Sequence, residues 1–318
     1  MKAFITGGAG FIGSTMVDRL LAEGHEVTAY DDFSNGRREF LANALDRPHF
    51  RLVQGDVLDA EKMGAALRGH DLVFHFAANA DVRRGLEHPR RDLEQNTMAT
   101  FTVLETMRHA GVKRIAFSST GSIYGEPRVF PTPEDCPFPV QTSLYGASKL
   151  AGEGLISAYC EGFGFSGCVF RFVSILGERY NHGHVLDFYK QLSSDPRRLL
   201  IQGDGQQRKS YLYVQDCVDA VLHGLRASPA GFHVFNLGTD EYITVNESVA
   251  VITRHLGLDP ELSYTGGERG WIGDSPFIFL DTRKIRATGW KPTLTIRQAV
   301  ERTVAYVVAH PELLEEDA

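Results

Sequence analysis

Along the first 172 residues, short apolar runs alternate with longer stretches whose apolar positions return every three or four residues. The runs KAFIT (2–6), EVTAY (26–30), RLVQ (51–54), DLVFHFA (71–77), RIAFSS (114–119) and GCVFRF (167–172) have the length, the branched and aromatic content and the polar borders of strands. Between them, 11–23, 59–68, 91–110 and 143–163 carry helical spacing: Ile12, Met16 and Leu20 stand four apart, Phe101, Leu104 and Met107 three apart. Strands alternating with helices predict a parallel sheet covered on both faces. The rhythm breaks at Pro127, Pro131, Pro133, Pro137 and Pro139, which predicts an ordered surface loop over 125–143.

After 173 the elements shorten and Gly and Pro become more frequent. Val218, Val221, Leu222 and Leu225 mark one helix; Ile296, Val300, Val304 and Val307 mark another. This texture divides the chain into a larger unit, 1–172, with a return of the chain near 210–236, and a smaller mixed α/β unit within 173–318.

Composition narrows the classes. The 318 residues are 43% hydrophobic and 23% charged, enough for a large core. Acids outnumber bases, 40 to 33, and the Arg-Arg pairs at 37–38, 83–84, 90–91 and 197–198 are scattered among acidic and apolar residues, so nucleic acid is not an expected partner. Cys136, Cys160, Cys168 and Cys217 form no C-x-x-C pair, which fits a reducing cytoplasm better than a disulfide or zinc framework. No apolar run approaches the roughly 20 residues of a membrane span. A soluble cytoplasmic protein with no membrane partner is expected.

Gly7, Gly10 and Gly13, in TGGAGFIG, stand between the first strand and the first helix. Glycine there permits a tight turn, close approach of backbone to a pyrophosphate and close helix packing, while the amides of Phe11, Ile12 and Gly13 open the helix toward the phosphates. Asp31 ends the second strand, where a carboxylate accepts from the ribose hydroxyls and repels a 2′-phosphate. The unit is therefore expected to be a Rossmann-type doubly wound sheet that binds NAD. Asp32, Asn35 and Gly36 either touch the same ribose or simply form the turn in DDFSNG. Asp56 and Val57 are placed to cover the adenine edge, and Phe76, Ala77 and Ala78 either approach the cofactor or pack the strand end.

Tyr145 and Lys149, in YGASK, lie four apart and so on one helix face. A phenol titrates near 10 and needs a positive neighbour to act as a base at neutral pH; Lys149 and an oxidised nicotinamide are the expected sources. Ser118, Ser119 and Thr120 place hydroxyls at the end of the fifth strand, on the edge where open α/β sheets bind ligands.

With TGGAGFIG, the acid after the second strand, HFAA, SSTGSIYG, YGASK, GDGQQRKSYLYVQD and RGWIGD in this order, the chain resembles the extended short-chain dehydrogenases/reductases, and among them the UDP-glucose 4-epimerase-like enzymes of the NAD-dependent epimerase/dehydratase family. The resemblance implies that Tyr145 is the general base, that Lys149 orients the nicotinamide ribose and that Thr120 bonds the sugar. Asn96 matches an asparagine near the family's active site, or is a polar residue of its helix.

Relatives that remove water carry an Asp-Glu pair directly after the Thr, and those that remove carbon dioxide a Glu in the same strand-end segment; here Thr120 is followed by Gly121, Ser122 and Ile123. That leaves reversible 4-epimerisation, first of a UDP-hexose (UDP-glucose and UDP-galactose), otherwise of a UDP-N-acetylhexosamine, a UDP-uronic acid or another nucleotide sugar; a non-catalytic NAD-binding protein would lack the Tyr, the Lys or the hydroxyl, and all three are present. The resemblance places Lys209, or its neighbour Arg208, on the diphosphate, followed by Tyr211; Arg269 is a second diphosphate ligand and Asp274 a ribose ligand. Ser122 and Ser174 are small neutral residues facing the sugar, Ser174 standing where relatives carry Asn. His184, with Val185, aligns with a substrate-touching position. His182 and His184 have no third ligand nearby, so no metal is expected. Ile278 aligns with a position that limits sugar size. Helices 91–110 and 143–163 resemble the family's homodimer face.

Overall fold

The computed structural model describes residues 1–79, 83–137, 140–271 and 273–314. The first half of the chain supplies six strands, β1 (Lys2–Thr6), β2 (Glu26–Asp31), β3 (Phe50–Gln54), β4 (Leu72–His75), β5 (Arg114–Thr120) and β6 (Ser166–Phe172). The chain then leaves this sheet for β7 (Ser174–Leu176), β8 (Arg198–Ile201), β9 (Arg208–Lys209) and β10 (Tyr211–Tyr213). It returns as β11 (Phe232–Leu237), which pairs along β6 from Phe232 opposite Gly167 to Leu237 opposite Phe172. Short strands β12 (Ile243–Thr244), β13 (Glu261–Tyr264) and β14 (Phe277–Ile278) complete the set.

The large sheet is parallel and runs β11-β6-β5-β4-β1-β2-β3. Because β1 lies between β2 and β4, the order of winding reverses there, and the carboxyl ends of β1, β4 and β5 lie side by side on one edge, where open α/β sheets bind ligands. Its helices are α1 (Phe11–Ala22), α2 (Ala60–Leu67), α3 (Pro89–Asp92), α4 (Ala99–Ala110) and α5 (Leu144–Phe163); α7 (Val214–Ala227) packs on α1. Phe4, Phe74, Phe117 and Phe170 are closed inside the sheet layers. A second core, under α6 (His184–Ser194), α8 (Val245–Leu256) and α10 (Ile296–Ala309), gathers Leu186, Leu199, Ile201, Ile252, Val300 and Val304. The short helix α9 (Arg283–Arg286) packs against β11.

Local chemistry sets the ends of α5. The Ser143 hydroxyl accepts from the Gly146 amide at 3.0 Å, and Gly164 stops the helix at φ 64°, a left-handed conformation that favours glycine.

Two sequence expectations change. The helix expected over 91–110 is not uniform: Leu93–Met98 is a π-helical stretch between α3 and α4. Its wider turn carries Asn96 into the interior, where hydrogen bonds replace lost helix geometry. The loop at 125–143 is more than a surface excursion. Thr132 is fully buried, bridges to Leu280 and accepts Asn236 Nδ2 on its carbonyl at 2.9 Å; Pro139, on which part of that expectation rested, lies outside the described residues.

Candidate active site

The glycines divide their work. Gly7 turns at φ 69°, and a Cβ there would lie 2.7 Å from the Ala77 nitrogen; one on Gly13 would fall on the Gly7 carbonyl oxygen. Both are demanded by the protein's own packing. Gly10 has only the Gly7 carbonyl within reach, 3.2 Å from the position of a Cβ, so its side is left open at the mouth of α1. Phe11 packs edge-on against Tyr180, Ile12 is half-buried, and the first turn of α1 holds no acid. An open glycine before acid-free helix amides fits a dinucleotide's pyrophosphate.

Asp31 is buried at the end of β2, which pushes its pKa up, against the Phe33 and Ala9 amides. These amides donate to its two oxygens at 2.9 Å each, and Gly36 leaves room for them: a Cβ there would come within 2.6 Å of Oδ1. The carboxylate is thereby fixed with lone pairs to spare for ribose hydroxyls. Asp32 is exposed and closes its own turn on Ser34, while the Asn35 carbonyl accepts from Asn181. Asp56 caps the Leu58 amide, and Val57 is buried beside Met63. Phe76, Ala77 and Ala78 are half-buried, with the Ala77 amide on Thr6 Oγ1. The Asn96 amide is spent inside the protein, on Asn79, Asp92 and Ser148.

Thr120, Tyr145 and Lys149 meet at the carboxyl edge of the sheet. Thr120 Oγ1 accepts from the Ser122 amide at 3.1 Å, donates to Ser122 Oγ at 3.2 Å and hydrogen-bonds Tyr145. Lys149 is buried; its ammonium donates to the Ser118 carbonyl at 2.9 Å and lies 4.8 Å from the centre of the Phe117 ring. The expectation that Lys149 lowers the phenol's pKa is not met. Burial pushes Tyr145 up to about 12 despite its bond to Thr120, and Lys149 is not among the groups acting on it. Lys149 is itself pulled down to about 7 by burial, against the attraction of Asp92 and Glu153.

Lys209 and Arg208 separate by strand alternation. On β9, held between β12 and β14, Lys209 turns inward to Asp274 Oδ1 at 2.5 Å and to the Ser275 carbonyl. Arg208 lies outside, 4.0 Å over the Phe277 ring. Arg269 pairs with Glu126 and donates to the Asp274 carbonyl at 3.2 Å. His184 is held by Ser248 at 2.8 Å and Tyr211 at 3.4 Å; burial pulls its pKa down to about 4. His182 instead turns to Asn181 Oδ1, and among the described residues no group of three or more His, Cys, Asp or Glu gathers as a metal site. Ser174 is exposed beside Tyr211 in the pairing register. Val185, expected to face the substrate, is fully buried in the second core, because α6 turns this position inward, and it presents no surface to a ligand. Ile278 packs toward Gly121, next to Thr120.

Sequence reasoning missed the charges behind this edge. Glu153 and Arg171 form a buried pair at 2.8 Å; Arg171 also reaches Tyr124 and the Glu134 carbonyl, and Glu153 accepts from Ser119. Two signals were present: Glu153 falls four residues after Lys149 on the same face, and Arg171 interrupts an apolar strand.

This arrangement can bind a dinucleotide and move a proton at a sugar hydroxyl. The model of the NAD dependent epimerase/dehydratase family matches residues 3–238. The chain is 34% identical to the UDP-glucose 4-epimerase of Mycolicibacterium smegmatis, over 96% of this chain and 98% of that protein. Among solved structures, a UDP-galactose 4-epimerase has TM-score 0.88 at 37% identity, covering 98% of this chain and 99% of that one. The dTDP-glucose 4,6-dehydratase of Streptomyces venezuelae, with NAD bound, has TM-score 0.91 at 28% identity, covering 99% and 100%.

Proposed function

The chain belongs to the NAD dependent epimerase/dehydratase family, and from that membership we propose that it is a UDP-hexose 4-epimerase interconverting UDP-glucose and UDP-galactose. One observation carries the choice over dehydration: Thr120, Tyr145 and Lys149 converge with no carboxylate in the Gly121–Ser122–Ile123 turn that follows. Elimination needs a second acid or base at that place; inversion at carbon 4 does not.

NAD held at the Gly7–Gly13 turn and by Asp31 would supply a cationic nicotinamide able to take a hydride from carbon 4 and give it back. The chain's own residues handle the proton. Thr120 Oγ1, already bonded to Tyr145 and Ser122, lines up the sugar hydroxyl, and Tyr145 takes its proton and later returns it. Lys149 holds the nicotinamide ribose. Lys209 and Arg269 grip the diphosphate, and the small hydroxyls of Ser122 and Ser174 leave the sugar free to turn.

Deuterium placed at carbon 4 of UDP-galactose tests this: it should remain at carbon 4 of the UDP-glucose formed, as read by NMR. Washing of the label into solvent, or its arrival at carbon 5, sinks the epimerase reading. Ile278 beside Gly121 favours a second substrate, a UDP-N-acetylhexosamine, because a compact aliphatic side chain at the size-limiting position leaves room for a 2-N-acetyl group; turnover of UDP-N-acetylglucosamine in the same assay decides it.

We also infer a cytoplasmic homodimer. The four cysteines are free thiols, which supports a reducing compartment. Leu93, Met98, Phe101, Leu144 and Phe163 are exposed on the helical segments 93–110 and 144–163, an apolar face that a second copy would cover. Light scattering should give a dimer and Phe101→Asp a monomer; a monomeric wild-type protein at micromolar concentration removes the inference.

A further inference from the structure

The chain has two tryptophans, and they are opposite cases. Trp290 is buried, with its Nε1–H on the Asp216 carbonyl at 3.1 Å. Trp271 also has its indole nitrogen buried, but among the described residues that nitrogen has no hydrogen-bond partner. A buried donor without an acceptor is costly to keep. Its surroundings indicate which acceptor would satisfy it.

The Lys209 ammonium lies 5.8 Å from the centre of the Trp271 ring. The Trp271 carbonyl accepts from the Asp274 amide at 3.1 Å, and Asp274 holds Lys209. Arg269 stands two residues earlier in the same segment and donates to the Asp274 carbonyl. Gly273 has positive φ, and a Cβ there would come within 2.9 Å of the Thr142 carbonyl oxygen, so this segment packs closely against the chain just ahead of α5. Ammonium, guanidinium and indole N–H are all donors, so the matching ligand is an oxyanion.

We propose that Trp271 is a substrate-binding residue whose indole N–H donates to a diphosphate oxygen of the nucleotide sugar, beside Lys209 and Arg269. The assignment rests on the nucleotide-sugar reading above and adds to it a ligand that is neutral and directional, unlike the two cations flanking it.

UDP added to the NAD-loaded protein is the test. With tryptophan labelled by nitrogen-15, two indole resonances are present, and Trp271→Phe identifies the one that belongs to Trp271. UDP should move that resonance downfield and leave the Trp290 resonance in place. Calorimetry should show UDP binding weakened roughly tenfold or more in Trp271→Phe, the loss expected for one hydrogen bond to a charged acceptor. If wild-type protein binds UDP with the Trp271 resonance unmoved, or if the variant binds UDP equally well, the Trp271 assignment is wrong and the epimerase reading stands. If wild-type protein does not bind UDP, the nucleotide-sugar reading itself fails. The resonance shift is read in wild-type protein, so it decides the matter even if the variant folds poorly.

Discussion

Ser119 Oγ donates a hydrogen bond to Glu153 Oε1, tying the end of β5 to the middle of α5. Thr120 follows Ser119 in the strand, and Lys149 precedes Glu153 by one helical turn, so this bond sets the spacing of two residues assigned to chemistry. Arg171 neutralises Glu153 from β6 at 2.8 Å. Three adjacent elements are therefore registered against one another by side chains that never touch substrate.

Breaking that pair from one side strands a buried guanidinium. Glu153→Ala should lose about 3–5 kcal/mol of stability by urea denaturation. Adding Arg171→Met should restore part of it, because the uncompensated charge is gone. A double variant as unstable as the sum of both single variants would show the two residues to be uncoupled.

Gly10 and Gly13 should fail in different ways. Gly10→Ala meets only the Gly7 carbonyl, so its thermal stability should stay within about 1 kcal/mol of wild type while bound NAD falls away. Gly13→Ala collides with that same carbonyl and should cost about 3 kcal/mol even before cofactor is added. Cofactor content by absorbance and melting curves separate the two.

The Glu126 carboxylate competes for Arg269 with any incoming anion. Glu126→Gln frees the guanidinium, and UDP should bind roughly two- to fivefold more tightly at low salt, with the gain shrinking as ionic strength rises. Calorimetry at two salt concentrations checks it; weaker binding would mean that Glu126 positions Arg269 instead.

Tyr145 carries a pH signature. Burial raises its pKa to about 12 in the cofactor-free fold, above the ordinary 10 of an unfolded chain. The folded state then keeps a proton that the unfolded state has lost, so this contribution is whole below pH 10 and disappears as pH rises through 12. Between those values wild-type protein should lose stability faster than Tyr145→Phe, by at most about 1.4 kcal/mol per pH unit. At neutral pH the same variant should lower kcat by a factor of about 10² to 10⁴ with UDP binding nearly intact.

The strands of the large sheet were legible because each is a short apolar run next to a polar turn, and β1 through β6 fall within a few residues of KAFIT, EVTAY, RLVQ, DLVFHFA, RIAFSS and GCVFRF. The π-helical turn at 93–98 was not, since its cause is tertiary: Asn96 finds its partners on Asn79 and on Ser148 of another helix. The same limit applied to the phenol. Tyr145 and Lys149 share a helix face as their spacing implied, but how burial shifts each group depends on what encloses it, and the Lys149 ammonium turns to Ser118. Which of Lys209 and Arg208 turns inward was undecidable from adjacency and follows from the register of β9 between β12 and β14.

The late return of β11 also bears on how the protein is made. About 60 residues separate the end of β6 at Phe172 from Phe232, and a ribosome takes on the order of 3–12 s to add them. During that interval β6 is an unpaired edge carrying Cys168, Val169, Phe170 and Phe172, the kind of apolar template on which nascent chains associate with one another. The large sheet cannot close until β7 to β10 have emerged, so a chain stalled between 172 and 232 is the species that a chaperone would need to shield.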